Sequence, residues 1–408
     1  MVSSSSFWRT YQRSIFLAAS GISTAGSFAG VTAKGWILME GTDNALILAL
    51  NFAALSLPTL IVSGPAGVET DRIGCEQVLV RAQWALLISA GLGALAIPLL
   101  DGAAEVAMLL ISTLLVGISS AFELTARNKY CALLVDRPEQ LAPYLSSFSV
   151  MFNVGKLIGP LLGALLVTVV GAASALCIDA ASYLLPIGSV IWLLKPHRDQ
   201  EQRSAPGQKA TLVHAWRDSG GTLRSVLGFT ALLCLVGFFH PGLAPLIASK
   251  ILGPEPKDLG IYTSILAAGS ILGGVILQRN SRTFCRHPFI TLSSYGMITA
   301  VAQLGMAFNG GVSFSLLMTF LIGAGTAGLL SSTNLITQVG SPQVLRGRMA
   351  GLSQIAFLGG GGLSGLLAAF LFMAVGLPTT FATAGGLGLG LVILGWWRKG
   401  NTLMEEIR

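Results

Sequence analysis

The sequence predicts an all-α membrane protein of twelve transmembrane helices, arranged as two pseudo-symmetric six-helix bundles. Three observations predict it. Charged residues make up 11% of the chain and hydrophobic ones 53%, whereas a soluble domain carries about 25% charged residues. Windows of about 20 apolar residues recur along the whole length, as a hydrocarbon core about 30 Å thick requires of each helix. The most polar internal stretch, 195–224 (KPHRDQEQRSAPGQKATLVHAWRDSGGTLR), falls near the midpoint and divides six windows from six.

The windows are 14–38, 45–67, 78–100, 103–125, 144–170, 172–194, 226–249, 259–278, 287–308, 312–334, 349–373 and 378–397. Each is read as a helix because lipid offers the backbone no outside hydrogen-bond partner. The start, MVSSSSFWRTYQRS, shows no cleavable signal, so the first helix is expected to serve as an uncleaved one. The residues therefore divide into an N-terminal bundle, 1–194, a cytoplasmic linker, 195–224, and a C-terminal bundle, 225–408. Part of the linker, 208–218, reads as an amphipathic helix on the inner membrane surface.

The net charge of +7 is a topology signal rather than a nucleic-acid footprint. With the N-terminus inside, the basic residues crowd the inner loops, from Arg9, Arg13 and Arg72 through Arg127, Lys129 and Arg137 to Arg279, Arg346, Arg348 and Arg398. The outer loops hold Lys250 and Lys257. That asymmetry places both termini in the cytoplasm of a cell with this chain in its inner (plasma) membrane. Cys75, Cys131, Cys177, Cys234 and Cys285 are scattered without a paired spacing and read as small apolar fillers.

The halves echo each other. GVETDR (67–72) follows the second window and GVILQR (274–279) the eighth; VDRP (135–138) precedes the fifth and VGSP (339–342) the eleventh. Both offsets are near half the chain, as expected of two related bundles, though chance among apolar segments gives such echoes too.

GVETDRIG (67–74) falls between the second and third windows and reads as a cytoplasmic loop in which glycine ends the helix and Asp71 and Arg72 offer opposite charges. Gly67, Asp71, Arg72 and Gly74 resemble the loop signature G-x-L-a-D-r-x-G-r-k of the major facilitator superfamily. Glu69, Cys75 and Glu76 depart from it. The resemblance implies the major facilitator fold and a loop that latches the two halves; the alternative is a turn of solvated charges. GKLIGPLLGA (155–164) resembles the same superfamily's antiporter motif, G-x-x-x-G-P-x-x-G-G, with Ala164 in place of the last glycine. Gly155, Gly159 and Gly163, spaced by four, form one smooth helix face that another backbone can approach. Pro160 withholds one helical hydrogen bond and allows a bend. The resemblance implies an exporter exchanging substrate for protons; a packing seam is compatible with it.

Lys156 lies on another face, in register with Ser149 and Asn153, and gives that helix a polar stripe. A lysine at membrane depth costs a few kcal/mol on insertion scales, so it should face a cavity or a partner. Residues 121–160 resemble a narrower branch of drug-antiporter-like exporters that includes enterobactin and macrolide efflux proteins. Arg127, Asn153 and Lys156 fall on that branch's polar positions, with Thr125 for its proline and Lys156 for its arginine. SPQVLRGRMAGLSQIAFLGGGGLSG (341–365), with Arg346 and Arg348, resembles its second-half counterpart.

Few other ionisable residues sit at membrane depth. Lys34 and His240 join Lys156, Asn153 and Ser149 as candidate substrate contacts. Asp179 and Glu123 are the candidate proton carriers, with an i, i+4 pair between Glu123 and Arg127 serving as a gate. His240 stands before Pro241 and Pro245, whose freed carbonyls are expected to face a cavity. For each, a structural hydrogen-bonded or snorkelling role is the alternative. No metal cluster, nucleotide loop or nucleophile–base set stands out, and GGGG (359–362) lacks the Lys-Ser/Thr of a phosphate loop. No cofactor and no nucleic acid is therefore expected, and the chain is expected to act as a monomer with a small-molecule substrate, protons and the bilayer as its partners. The leaning of the cavity charges toward basic suits an anionic or metal-chelating metabolite such as a siderophore. Multidrug or macrolide-type efflux is the first alternative, followed by uptake symport and, more distantly, a receptor or a polytopic membrane enzyme.

Overall fold

The computed structural model describes residues 3–135, 138–191, 216–308, 310–341 and 346–397, and among them every regular element is helical. The linker other than 216–218, and with it most of the expected amphipathic helix 208–218, lies outside the described residues. In chain order the helices are α1 (Ser3–Thr42), α2 (Ala45–Ser56), α3 (Pro58–Ile73), α4 (Cys75–Leu99), α5 (Gly102–Leu133), α6 (Pro138–Val170), α7 (Ala172–Ser182) and α8 (Leu184–Ile191). They continue with α9 (Gly221–Gly237), α10 (Ala244–Ile251), α11 (Pro256–Arg286), α12 (Pro288–Ala307), α13 (Val312–Val339), α14 (Arg346–Gln354) and α15 (Gly360–Trp397).

Among the described residues, ten stretches are long and apolar enough to cross a membrane, two fewer than the sequence windows. The difference has two physical causes. The tenth stretch, Gly351–Trp396, is 46 residues long, about 69 Å of helix at 1.5 Å per residue and twice the bilayer core. It is two segments, divided at Gly376, whose φ of 80° is left-handed and cheap only for glycine, with Pro378 just beyond. The seventh window is a broken helix, α9 and α10 separated by Phe238–Leu243. Pro241 has no N–H to give the Gly237 carbonyl, and its ring would collide there. The carbonyl freed at Gly237 has a partner: Gln303 Nε2 of α12 donates to its oxygen at 2.8 Å.

The expected loop at 67–74 is also corrected. Gly67 through Arg72 belong to α3, which ends only at Ile73 because Gly74 takes φ 96°. Gly67 stays helical with open space where a Cβ would be. In the other half, α11 loses helical geometry at Asn280, just after GVILQR. The two echoing motifs thus end at corresponding interruptions.

The chain forms two compact units, Met1–Gly41 with Ile61–Gln208, and Thr42–Leu60 with Lys209–Arg408. In the first, α4 packs on α5 and α7, and α6 on α7. Phe16, Leu79, Tyr130 and Cys131 form a buried cluster there, with Phe16 edge-on to Tyr130 at 5.0 Å. In the second, α11 packs on α13, α12 on α13 and α15, and α2 on α15. α2 stops at Leu57 because Pro58, first residue of α3, cannot continue the backbone ladder. A π-turn at Ile355–Gly359 joins α14 to α15. The glycines after it accept neighbours at the backbone: a Cβ on Gly360 would lie 2.9 Å from the Ala231 oxygen, and one on Gly362 2.7 Å from Ser56 Oγ. GGGG is a packing device.

Candidate functional site

The site grows out of α1, whose residues 20–34 are gripped from two sides in the first unit. On one side lies the glycine stripe of α6. A Cβ on Gly155 would sit 2.9 Å from Thr24 Cγ2, one on Gly159 would sit 2.7 Å from the Ala25 oxygen, and one on Gly163 2.5 Å from the Ala29 oxygen. Backbone meets backbone along two turns, which is why three glycines stand four residues apart. Phe28 and Phe152 close the flank edge-on at 5.4 Å. α6 runs helical through Pro160, so at that proline the missing hydrogen bond to the Lys156 carbonyl breaks no helix.

On the other side lies α7. A Cβ on Gly26 would lie 2.6 Å from Ser182 Oγ, and one on Gly30 would overlap the Asp179 carboxyl. Glycine at 30 is what lets the carboxyl approach α1. Asp179 is buried and its Oδ1 has no hydrogen-bond partner. Tyr183 stands one turn on, its hydroxyl 2.8 Å from Ser27 Oγ and within reach of the carboxyl.

Lys34 is one turn beyond Gly30 on α1 and is also buried. Its Nζ donates to Ser112 Oγ at 2.7 Å and Thr113 Oγ1 at 3.3 Å, both on α5, while Ser112 donates to the Ser89 oxygen at 2.7 Å. Gly93 on α4 leaves room for the ammonium, since a Cβ there would lie 3.3 Å from Nζ. Further along α5, Arg127 and Glu123 form the i, i+4 pair at 3.3 Å, with Gln83 Nε2 donating to Glu123 Oε1 at 3.4 Å and the Arg127 guanidinium 5.7 Å from the Phe148 ring centre.

The other expected residues are more dispersed. Lys156 and Asn153 are half-buried on α6. Ser149 lies in the same helix, but its side chain, like those of Asp71, Arg346 and Arg348, is outside the described residues. Arg72 pairs with Glu69 at 2.9 Å, so the acid that departs from the loop signature occupies the exposed arginine. His240 belongs to the second unit. It is fully buried in the break between α9 and α10, edge-on to Phe238 at 5.3 Å and near Phe239 at 6.3 Å. A small cavity beside α9 is lined by Cys234, Gly237, Thr299, Gln303 and Thr326. Sequence reasoning missed Ser27, Ser112, Thr113, Tyr183, Gly30 and Gln303. The spacing of Gly30 and Lys34, one helical turn apart, was the available signal for two ends of one site. Among the described residues no group of three His, Cys, Asp or Glu side chains could hold a metal ion.

Buried ion-bearing groups threaded through a helical membrane unit are the pattern of a translocation machine. Over residues 3–398 the sequence matches the transmembrane secretion effectors. The chain belongs to that family, within the major facilitator superfamily. It is 27% identical over 393 residues to the multidrug efflux pump Tap of Mycolicibacterium fortuitum, covering 91% of each chain. It is 23% identical over 312 residues to the staphyloferrin A transporter of Staphylococcus aureus, covering 75% of this chain and 76% of that one. Among solved structures, a D-xylose–proton symporter superposes with a TM-score of 0.74 at 16% identity, over 95% of this chain and 98% of that one. A bacterial homologue of the lysosomal transporter Spinster, inward-facing and unoccupied, gives 0.72 at 14% identity over 96% and 95%. This secretion effector is thus a multi-pass membrane transporter of small molecules and not an enzyme.

Proposed function

We propose that the chain exports a small organic molecule in exchange for protons, by alternating access, with Asp179 as the proton carrier. The observation that carries this reading is the Asp179 carboxyl, enclosed against Gly30 with an unpartnered oxygen, on the same helix α1 that the glycine stripe packs against. A carboxyl in such a place exchanges its proton when its surroundings alternate between dry and wet. Gly155, Gly159 and Gly163 are the close contact that holds α1 during that exchange, and Glu123 with Arg127 forms a gate near the inner end of α5. The moving halves are 1–194 and 225–408, with both termini and the linker 195–224 in the cytoplasm of a monomer in the inner membrane.

The substrate proposed is an anionic or metal-chelating metabolite. Half-buried Lys156 supports it, as does the likeness to a protein named a staphyloferrin A transporter. Multidrug efflux is the second reading, favoured by the likeness, across 91% of the chain, to a pump named for it. Two experiments test these readings. In inverted vesicles carrying the protein, an acid-inside gradient should drive uptake of ethidium or of a purified carboxylate siderophore. No response of either to the gradient would remove proton antiport. Comparison of metabolites inside and outside cells lacking the protein, with iron plentiful and scarce, decides between the substrate classes: retention of a chelator under scarcity alone supports the first, and unchanged metabolites with heightened dye sensitivity the second.

A further inference from the structure

The buried lysine of α1 was expected among the substrate contacts, yet its neighbours are all internal. Its ammonium rests on two hydroxyls of α5 rather than on the Asp179 carboxyl that faces it. The berth is built. Ser112 is anchored to the Ser89 carbonyl, Thr113 Oγ1 is held by the Leu109 oxygen at 3.0 Å, and Gly93 supplies the space. One turn back along α1, Gly30 supplies the space for Asp179, whose Oδ1 is left open. A lysine side chain has four methylene groups of free rotation, enough to swing across one helical turn. The charged and titratable groups facing Asp179 are Lys34 from α1 and Tyr183 from its own segment. Glu123 of α5 acts on Tyr183, and among the described residues α4 and α6 bring no charge to the carboxyl.

We infer that Lys34 is a positioning residue for proton exchange: its ammonium alternates between a hydroxyl berth on Ser112 and Thr113, and the Asp179 carboxylate. This rests on the reading of Asp179 as the proton carrier. With the proton on Asp179, the ammonium occupies the berth, the arrangement seen here. When the O–H bond of Asp179 breaks, its proton passes to water. The ammonium keeps its own three protons and crosses to the carboxylate, so no buried negative charge is left alone. Reprotonation from the other side returns it to the berth. The carboxylate is then neutralised whenever it forms, and hydroxyls hold the ammonium when it does not, without a substrate group taking part; Lys34 is an internal counter-ion rather than a contact for cargo.

The test needs no substrate. The protonated-carboxyl band of Asp179 is followed by infrared titration of the purified full chain in nanodiscs, with Asp179→Asn identifying the band. Lys34→Met removes the cation, and the band should persist to higher pH by about one unit or more. Ser112→Ala with Thr113→Val removes the berth and leaves the ammonium on the carboxylate, so the band should survive only to lower pH than in the parent. Gly93→Ala, which crowds the berth while keeping both hydroxyls, should move it in that same lower direction and serves if the double variant does not assemble. Lys34→Arg should stay near the parent. Opposite shifts support the two-position lysine, because a merely structural residue would lower thermal stability without opposing movements. Shifts of the same sign, or none, overturn it. Opposite shifts in a protein whose ethidium export ignores the pH gradient would uphold the pair while removing the antiport reading.

Discussion

The two units bury polarity in different currencies. The first hides ions: Lys34 and Asp179 are both buried, and Glu123 and Arg127 nearly so. The second hides neutral groups. Thr230 and Thr333 share a hydrogen bond at 2.8 Å, Thr337 and Ser353 another at 2.8 Å, and Gln303 holds the Gly237 carbonyl. Its buried acidic or basic residues, among the described side chains, are His240 in an aromatic setting and Asp258. Asp258 accepts from the Glu255 backbone N–H at 3.2 Å at the start of α11, as a helix cap. Both units also use glycine for close approach, but to different ends. In the first the seam sets α6 against α1 beside the ions. In the second, a Cβ on Gly269 or Gly273 of α11 would run into the Phe320 or Ala324 carbonyl of α13. The difference teaches that internal sequence symmetry preserved the helices while the chemistry went to one side. Buried ions gather in the first unit, and the second supplies a neutral, hydroxyl-rich and aromatic scaffold.

That comparison can be broken most decisively at the seam. Gly159→Leu adds a branched side chain where even a Cβ would meet Phe28 Cβ at 2.6 Å. Transport should be abolished while the protein still reaches the membrane; wild-type transport by this variant would reduce the stripe to coincidence. Asp179→Asn comes next. Proton-driven export should be lost and substrate binding kept, as read by vesicle uptake with and without a gradient. Undiminished driven export would move the proton to Glu123, still within the first unit.

A third change asks whether the second unit is purely structural. Gln303→Leu leaves the Gly237 carbonyl without its donor in a buried site, at a cost of about 1–3 kcal/mol. Thermal stability in detergent should fall accordingly, with no change in the pH profile of export. A shifted pH profile would show that ion handling is not confined to the first unit. Lys156→Met sharpens the substrate question: affinity for an anionic siderophore should fall several-fold, dye export should persist, and Lys156→Arg should retain much of the function. Equal loss for every cargo would move Lys156 into the coupling machinery. The smallest effect belongs to Thr230→Val, which removes one neutral hydrogen bond worth about 1 kcal/mol and should leave transport unchanged while lowering stability slightly.

Legibility in the sequence followed the same divide. Segments such as 172–194 and 287–308 were plain because lipid solvation writes them as long, mostly apolar runs, and the glycine stripe was plain because a spacing of four is a helix face. The run at 67–74 misled because glycine and charged residues look like a turn; a helix leaving the membrane carries the same residues on its last turns. The break at 238–243 was half-legible. Pro241 announced a freed carbonyl, but its partner, Gln303, is 66 residues away and no local pattern links them. Asp179 and Lys34 were each conspicuous alone. Their relation runs through Gly30 and through two hydroxyls on a third helix, and sequence spacing carries no record of which helices touch.

Gly30 has one further consequence, for how descendants of this sequence can vary. Every single-base change that alters a glycine codon's meaning adds a side chain or stops the chain, and at position 30 the space it needs already belongs to the Asp179 carboxyl. Leu161 and Leu165, on the outward face of α6, are roughly half exposed and confront only whatever surrounds the helix. Drift should therefore run fast along one edge of a helix and nearly stop along another. A survey of natural variants should find position 30 fixed while 161 and 165 wander among apolar types. Lineages that escape this limit should have changed position 179 as well.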